Sequence, residues 1–385
     1  MNSRERLLTS LNHQEPDRVP IDLGGNQSGI HKIAYRNLVD YLGIEDPNPR
    51  YADFIQQIVD PCEEVLQRFH IDTRYIRPKH NMIKIKDMEP EYVDKYVGVY
   101  DQFGVFWGNF ADKPIESHLY YDPIIHPFKD FTHTSEIENH DWPDGSDPSN
   151  FRGLREAAKS LAETPYGLVT PPSGCIFEYT TFLFGFVKAV TLLHKQPEMI
   201  LTTMQHLLKY WKEYNSGLLK EIGDFVNVVC VNGDLAEQHG PFFNPKTYGA
   251  LIAPIEKQLV DHIKKIAPVK INYHCCGSTP KLLPYFIDIG FNIYNPVQIS
   301  AEDMEPCSLK MRFGDGIVFW GGMCDTQNML PFGTPENIRN QVRKNFQCLK
   351  PKGGYVAANI HNITAEVPPE NIVAMFDAAY EFGKY

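Results

Sequence analysis

The sequence predicts an α/β fold: a (β/α)8 TIM barrel in a single domain over residues 1–385, with an N-terminal helical extension and an inserted, irregular β-hairpin segment at about 80–148. Three observations predict it. Short β-branched or aromatic runs alternate with helix-like segments, the pattern of a parallel sheet covered on both faces. There are eight such runs, and eight strands close a barrel. The glycines after the first run, Gly24-Gly25-Asn26-Gln27-Ser28-Gly29, lack the spacing of a dinucleotide fingerprint, so the alternative of an open doubly wound sheet has no such mark.

The elements follow in order. Residues 2–12 read as an amphipathic helix ahead of the barrel. Arg18-Val19-Pro20-Ile21-Asp22 reads as the first strand, ending at Gly24-Gly25, and helices are expected near 31–43 and 53–69. Asp72-Thr73-Arg74-Tyr75-Ile76 is the second strand. The segment at 80–148 carries Tyr100, Phe103, Phe106, Trp107, Tyr120, Tyr121 and Trp142. Linkers rarely hold so many aromatics, so it reads as an elaborated insertion with hairpins. Regular alternation then resumes. Strands are expected at 166–170, 225–231, 269–274, 291–295, 317–320 and 355–359, with helices between them and a last helix from about 368.

Bulk composition narrows the function. A chain of 385 residues, 43% hydrophobic and 22% charged, has ample core for an enzyme. A net charge of −11 argues against a nucleic-acid surface. The charged start, Met1-Asn2-Ser3-Arg4-Glu5-Arg6, has no apolar core of a signal peptide, and no run reaches the length of a membrane span. The eight cysteines are scattered, which fits free thiols or metal ligands in a reducing cytoplasm better than a disulfide framework. Cys62, Cys175, Cys230, Cys307 and Cys348 are expected to be structural.

Chemistry in a barrel belongs at the C-terminal strand ends. Read in order, those ends supply Asp22, Ser173, Asp234 with Glu237, His274 with Cys276, Asn295, Cys324 with Asp325, and His361 with Asn362. His274 and Cys276, in Tyr273-His274-Cys275-Cys276-Gly277, put an imidazole and a thiol together at the mouth, a donor pair that suits zinc. Each has a plainer reading: a core histidine, a small buried thiol. Cys275 should point to the other side of the strand. His361, Cys324 and Glu237 are the further candidate ligands, against turn capping, helix capping and a surface carboxylate respectively. Asp234, Glu237 and His361 are candidates to orient substrate or move a proton.

These residues sit within a wider resemblance. Asn2-Ser3-Arg4-Glu5-Arg6-Leu7-Leu8 through Glu15-Pro16-Asp17-Arg18-Val19-Pro20 is similar to the N-terminal signature of the uroporphyrinogen decarboxylase superfamily, in the version of its cobamide-dependent methyltransferase branch. His274-x-Cys276-Gly277, Phe319-Trp320-Gly321-Gly322, Gly333-Thr334-Pro335-Glu336 and Val367-Pro368-Pro369-Glu370-Asn371-Ile372 follow in the same order. The likeness covers nearly the whole chain and is loosest at 80–148.

It implies a cytoplasmic barrel enzyme, commonly a homodimer. True decarboxylases of the superfamily use no cofactor and hold propionates with an early arginine signature. Ile21-Asp22-Leu23-Gly24-Gly25 stands there instead. The methyltransferase branch binds zinc through His-x-Cys and a last-strand residue, usually Cys. His361 stands at that position, with Cys324 as the other choice for third ligand. The resemblance therefore implies a zinc-dependent methyltransferase that moves a methyl group between a small methylated substrate and the corrinoid (cobalamin) of a partner protein. The long insertion and Phe177, Tyr179, Phe182, Phe184 and Phe186 suggest an aromatic-lined pocket and an O-demethylase acting on methoxylated aromatics. A methylcorrinoid:thiol methyltransferase and a metal-free carboxy-lyase are the alternatives.

Overall fold

The computed structural model describes residues 1–78 and 89–385, so the opening of the insertion, 79–88, lies outside the described residues. Seven parallel strands form one curled sheet in chain order: β1 (Thr73–Tyr75), β2 (Gly167–Cys175), β3 (Val228–Asn232), β4 (Lys270–His274), β5 (Ile293–Asn295), β6 (Val318–Trp320) and β7 (Tyr355–Val356). Each pairs with its sequence neighbour, which requires a crossover after every strand.

Residues 20–22 close the ring. Ile21 O accepts from Asp72 N at 2.8 Å on the β1 side. On the β7 side, Asp22 N donates to Ala357 O and Ala357 N to Pro20 O, both at 2.8 Å. The expected eighth strand is thus present as a short bridging segment. A (β/α)8 barrel results.

Two apolar layers hold it. Inside the ring, Val169, Val228, Cys230, Ile293, Val318, Trp320, Val356 and Ala358 pack together with Leu7 and Leu11. The leucines come from α1 (Ser3–Leu11), which plugs the N-terminal end of the barrel. Its start is fixed by a capping box, Asn2 Oδ1 accepting from Glu5 N at 2.9 Å and Asn2 N donating to Glu5 Oε2 at 3.0 Å. A methyl group on Gly167 would lie 2.4 Å from Leu7 Cδ2, so glycine is what lets the helix seat so closely. Below the ring, Arg6 and Arg18 each pair with the fully buried Asp72 at 2.7 Å. The second layer lies between the strands and the surrounding helices, from Val19 to Ala379.

Two expectations need correction. Residues 53–69 are not one helix. Arg50–Asp53 and Ile58–Asp60 pair antiparallel, Ile30–His31 joins them, and a helix covers only Glu63–Arg68. Gln57 turns the hairpin at φ 56°, and Pro61 stops a helix from running back through it. Cys307 and Cys348 are not free thiols. They join α3 (Pro306–Phe313) to α4 (Pro335–Leu349) in a disulfide, while the six other cysteines are free. Their separation of 41 residues carries no pairing signal; the packing of two helices does.

Among its described residues the insertion contains a four-stranded antiparallel sheet, Glu91–Val93, Tyr96–Tyr100, Phe106–Phe110 and Asp122–Ile125. Its aromatics anchor it to α2 (Phe177–Phe184), the helix after β2. Trp107 meets Phe182 edge-on at 4.8 Å. Asp101 accepts from Trp107 Nε1 at 2.6 Å and from the Tyr179 hydroxyl. No helix among the described residues is long and apolar enough to cross a membrane.

Candidate metal and substrate site

His274 is the last residue of β4, and its ring orientation is fixed from the next strand. Asn295 Nδ2 donates to Trp320 O at 3.1 Å, which turns Asn295 Oδ1 toward His274 Nδ1 at 2.6 Å. An amide oxygen accepts, so Nδ1 carries the ring proton and the Nε2 lone pair is free. That lone pair faces Cys276 Sγ at 3.4 Å.

The turn that brings Cys276 back over His274 is held at each residue. Cys276 N donates to Asp234 Oδ1 at 2.7 Å, Gly277 N to Gln298 Oε1 at 2.7 Å, and Ser278 N to Glu237 O at 2.8 Å. Gly277 sits at φ 90°, and a side chain there would start 2.6 Å from Glu237 O.

His361 reaches the same place from beyond β7, at φ 56°. Few non-glycine residues adopt that conformation. Asn362 holds the backbone there: its Oδ1 accepts from Gly29 N at 2.7 Å, and its Nδ2 donates to Asn26 O at 3.0 Å and Gln56 Oε1 at 2.9 Å. The two imidazole rings lie 5.3 Å apart. One donor atom each from His274, Cys276 and His361 all fall within 4.8 Å of one another.

Electrostatics suit a cation. Burial holds His274 down to about 4, and burial with the neighbouring His274 does the same to His361. Both are therefore neutral donors near pH 7. Burial, then Asp234, pushes the Cys276 thiol well up. A bound cation is the counter-charge that a thiolate here would need. Two neutral imidazoles and a thiol, one ring fixed by a second-layer amide, fit zinc.

The other candidates stand elsewhere. Glu237 is exposed, in a two-residue hairpin that pairs Ala236–Glu237 with Gly240–Pro241, so its carboxylate is not among the clustered donors. Cys324 is buried, but its Sγ meets Gln341 Oε1 of α4 at 3.0 Å, behind the Gly321-Gly322 turn. Cys275 is buried away from the cluster. Ser173 lies inside the wall, on Cys230 O at 3.3 Å. Asp22 is fully buried and saturated, accepting from Ser28 at 2.5 Å, Trp320 Nε1 at 2.9 Å, the Tyr75 hydroxyl at 3.2 Å and Thr73. Asp234 stays at the cluster, Oδ1 lying 3.9 Å from His274 Nε2.

A cavity of about 300 Å³ opens beside His361. Its walls include Leu119 and Tyr120 from the insertion, and Ile363 and Ala365 after β7. The aromatics expected to line a pocket mostly do other work. Phe177 and Phe184 are buried, Tyr179 and Phe182 hold the insertion, and Phe186 packs on Phe242. Sequence reasoning passed over Glu178, in the first turn of α2, whose Oε2 lies 3.2 Å from Cys175 Sγ and 3.4 Å from Asp234 N. An acid three residues after a strand end, among aromatics, was the signal for it.

Comparison with known proteins agrees with this architecture. No curated protein matches the chain by sequence. A methyltransferase from Methanosarcina mazei shares the fold, with a TM-score of 0.62 at 13% identity over 99% of both chains. A putative fructose-1,6-biphosphate aldolase from Coccidioides immitis covers 61% of this chain and 75% of its own at 14% identity, but its TM-score of 0.30 is too low to bear on the argument. The profile of the Uroporphyrinogen decarboxylase (URO-D) family matches residues 124–382, from the last strand of the insertion to the end of the final helix, and the chain belongs to that family.

Proposed function

We propose that this chain is a zinc-dependent methyltransferase, which moves a methyl group between a small methylated substrate and the cobalt of a corrinoid carried by a partner protein. The observation that carries the reading is the convergence of His274, Cys276 and His361 at the C-terminal mouth of the barrel. The methyltransferase fold of the Methanosarcina mazei protein supports it as a likeness.

His274, Cys276 and His361 would hold the metal. When bound, zinc supplies Lewis acidity, drawing electron density from the atom that gives up the methyl group. The chain's own residues do the rest. Asn295 keeps His274 Nε2 free, and Asp234 fixes the Cys276 backbone. Leu119, Tyr120, Ile363 and Ala365 offer a small, largely apolar wall beside His361, which suits a methoxylated aromatic ring. Positioning of that ring, with its methyl turned outward toward the partner, is the main work left to the protein.

The mouth is a poor host for a polycarboxylate. Arg77, which reaches the glycine loop, is spent on Gly24 O, Asn26 Oδ1 at 3.0 Å and Asp60 at 3.3 Å, and the carboxylate of Asp234 lies 3.9 Å from His274. This disfavours a carboxy-lyase of the uroporphyrinogen type.

The test is elemental analysis with methyl transfer. About one zinc per chain is expected, lost in Cys276→Ala and in His361→Ala. Wild type should methylate reduced corrinoid from methoxybenzenes, read in the visible spectrum. Zinc-free wild type that decarboxylates a small acid would overturn the reading. Methyl transfer only onto a thiol would move it to the thiol-methylating alternative.

A further inference from the structure

The Cys307–Cys348 disulfide belongs to neither the donor cluster nor the cavity beside His361. Cys307 stands in the first turn of α3 and is exposed, whereas Cys348, near the end of α4, is half-buried. Both border a cavity of about 450 Å³, whose wall also includes His13, Lys310, Lys352 and Asp315. His13 follows α1, so the cavity lies beside the helical plug.

Neither lysine of the wall is in an ion pair among the described residues. Lys310 Nζ donates to Gly353 O at 2.5 Å and Gly354 O at 3.4 Å, which leaves one N–H of the ammonium. Burial draws it down to about 8, so it stays charged at pH 7. Lys352 is exposed, and its Nζ has no hydrogen bond among the described residues. Burial, then Lys310, holds His13 below its ordinary value, which keeps that ring neutral at pH 7. Asp315 is the one acid among the wall residues. Glu15 and Glu305 are close by but outside the wall, and both are engaged with the main chain. Glu15 accepts from Lys352 N at 2.7 Å, and Glu305 from Cys307 N at 3.1 Å and Ser308 N at 2.6 Å.

We propose that this cysteine pair is a thiol-exchange site: a small thiol bearing a carboxylate enters the cavity and is joined to Cys307 as a mixed disulfide. The inference is independent of the methyl-transfer reading. The thiolate is the attacking species, and it needs an accessible sulfur. Cys307 is the exposed partner, and Cys348 the shielded one that leaves. The two lysines raise the local concentration of an ion that carries both a thiolate and a carboxylate. A carboxylate oxygen of Glu305 lies within 4.8 Å of both sulfurs and repels such an ion from its own side, so the cavity is the favoured approach.

The step balances. The thiolate's electron pair forms the new S–S bond to Cys307 Sγ. The Cys307–Cys348 bond breaks with its pair on Cys348 Sγ, which takes a proton from water. One disulfide replaces another, so nothing is oxidised or reduced overall. A second thiolate can then attack the incoming sulfur and release Cys307. That leaves both cysteines reduced by two electrons and the two small thiols joined as their own disulfide.

The test uses the whole oxidised chain at pH 7 and low salt, with 3-mercaptopropionate, 2-mercaptoethanol and cysteamine as probes. Opening of the disulfide is followed by alkylation and mass spectrometry, with rates expressed per thiolate and corrected for thiol basicity. The anionic probe should react about 5–10-fold faster than the neutral one, and the cationic probe slower than both. The first adduct should map to Cys307. In Lys352→Gln, and in wild type at high salt, the advantage should fall to about 2-fold or less. Lys352 is exposed, so its loss should leave the urea unfolding midpoint unchanged, which separates lost attraction from a loosened fold. Equal rates for the three probes would overturn the proposal. So would an advantage that survives both Lys352→Gln and high salt, or first attachment at Cys348. A bond that opens only in denaturant would make the pair purely structural and overturn it as well.

Discussion

One buried carboxyl group outside the mouth shows how finely single residues set the behaviour of this barrel. Glu256 is almost wholly enclosed and accepts from the hydroxyls of Tyr248 at 2.6 Å and Tyr273 at 2.8 Å. Burial lifts it to about 7, above its ordinary value of 4.5. A carboxyl raised on folding binds more protons in the native state. Its contribution is therefore full below about 4.5 and is lost as pH rises toward 7 and beyond. Glu256→Gln keeps the shape and removes the titration. The variant should gain on wild type by about 2–3 kcal/mol between pH 5 and pH 8, measured as the change in the difference of their urea unfolding free energies. Parallel pH profiles for the two proteins would refute this assignment. Nothing in the sequence marked Glu256, because its burial depends on two tyrosines, Tyr248 in the helical turn before its own helix and Tyr273 on β4. The same blindness applied to Glu178, whereas Tyr120 in the cavity wall agrees with the pocket expected of the aromatic insertion. His274 and Cys276, by contrast, were legible as neighbours because a strand end and a two-residue spacing fix their positions.

At the scale of elements, regular strands were readable and their irregular companions were not. Seven strands fall where apolar runs placed them, and the run at 18–22 forms the bridge that closes the ring. The stretch at 53–69 misled because Phe54, Ile55, Ile58 and Val59 satisfy a helical period, while Pro61 and the left-handed Gln57 decide for a hairpin. Loops set the site, and Gly277 holds a tight turn in one of them. At φ 90° a side chain there is strained, and it would start 2.6 Å from Glu237 O and 2.7 Å from Ala236 C, both backbone atoms. Gly277→Ala should cost about 2–4 kcal/mol in denaturant unfolding and weaken zinc binding about 10–100-fold, since the turn carries Cys276. Gly43→Ala is the matched control. It too is left-handed, at φ 65°, but nothing lies within 4 Å of the added carbon, so it should cost about 1 kcal/mol and leave zinc binding alone. Equal effects in the two variants would mean that the close backbone at Gly277 does not matter.

The whole molecule divides its tasks between the two ends of the barrel. The N-terminal end is sealed by α1, by the Arg6–Asp72–Arg18 cluster and, on the flank, by the Cys307–Cys348 disulfide. That disulfide borders a cavity of about 450 Å³ shared with His13 and Lys352, which lie next to the helical plug rather than the mouth. The opposite end holds His274 at the end of β4, Cys276, Asp234 and His361 on the loops beyond the strands, and Glu178 in the first turn of α2. Such a division predicts that stability and metal binding can be changed separately. Closing a loop of 41 residues is worth up to about 4 kcal/mol by the chain-entropy estimate. Cys307→Ser with Cys348→Ser, or reduction of wild type, should therefore lower unfolding stability by a few kcal/mol at most and lower the melting temperature with it. Zinc stoichiometry and the affinity measured by competition with a chelator should both remain at their wild-type values. Were zinc lost along with the disulfide, the two ends would be coupled through α3 and α4, and the mouth would owe its geometry to the helical shell rather than to the hydrogen bonds of Asn295, Asp234 and Asn362.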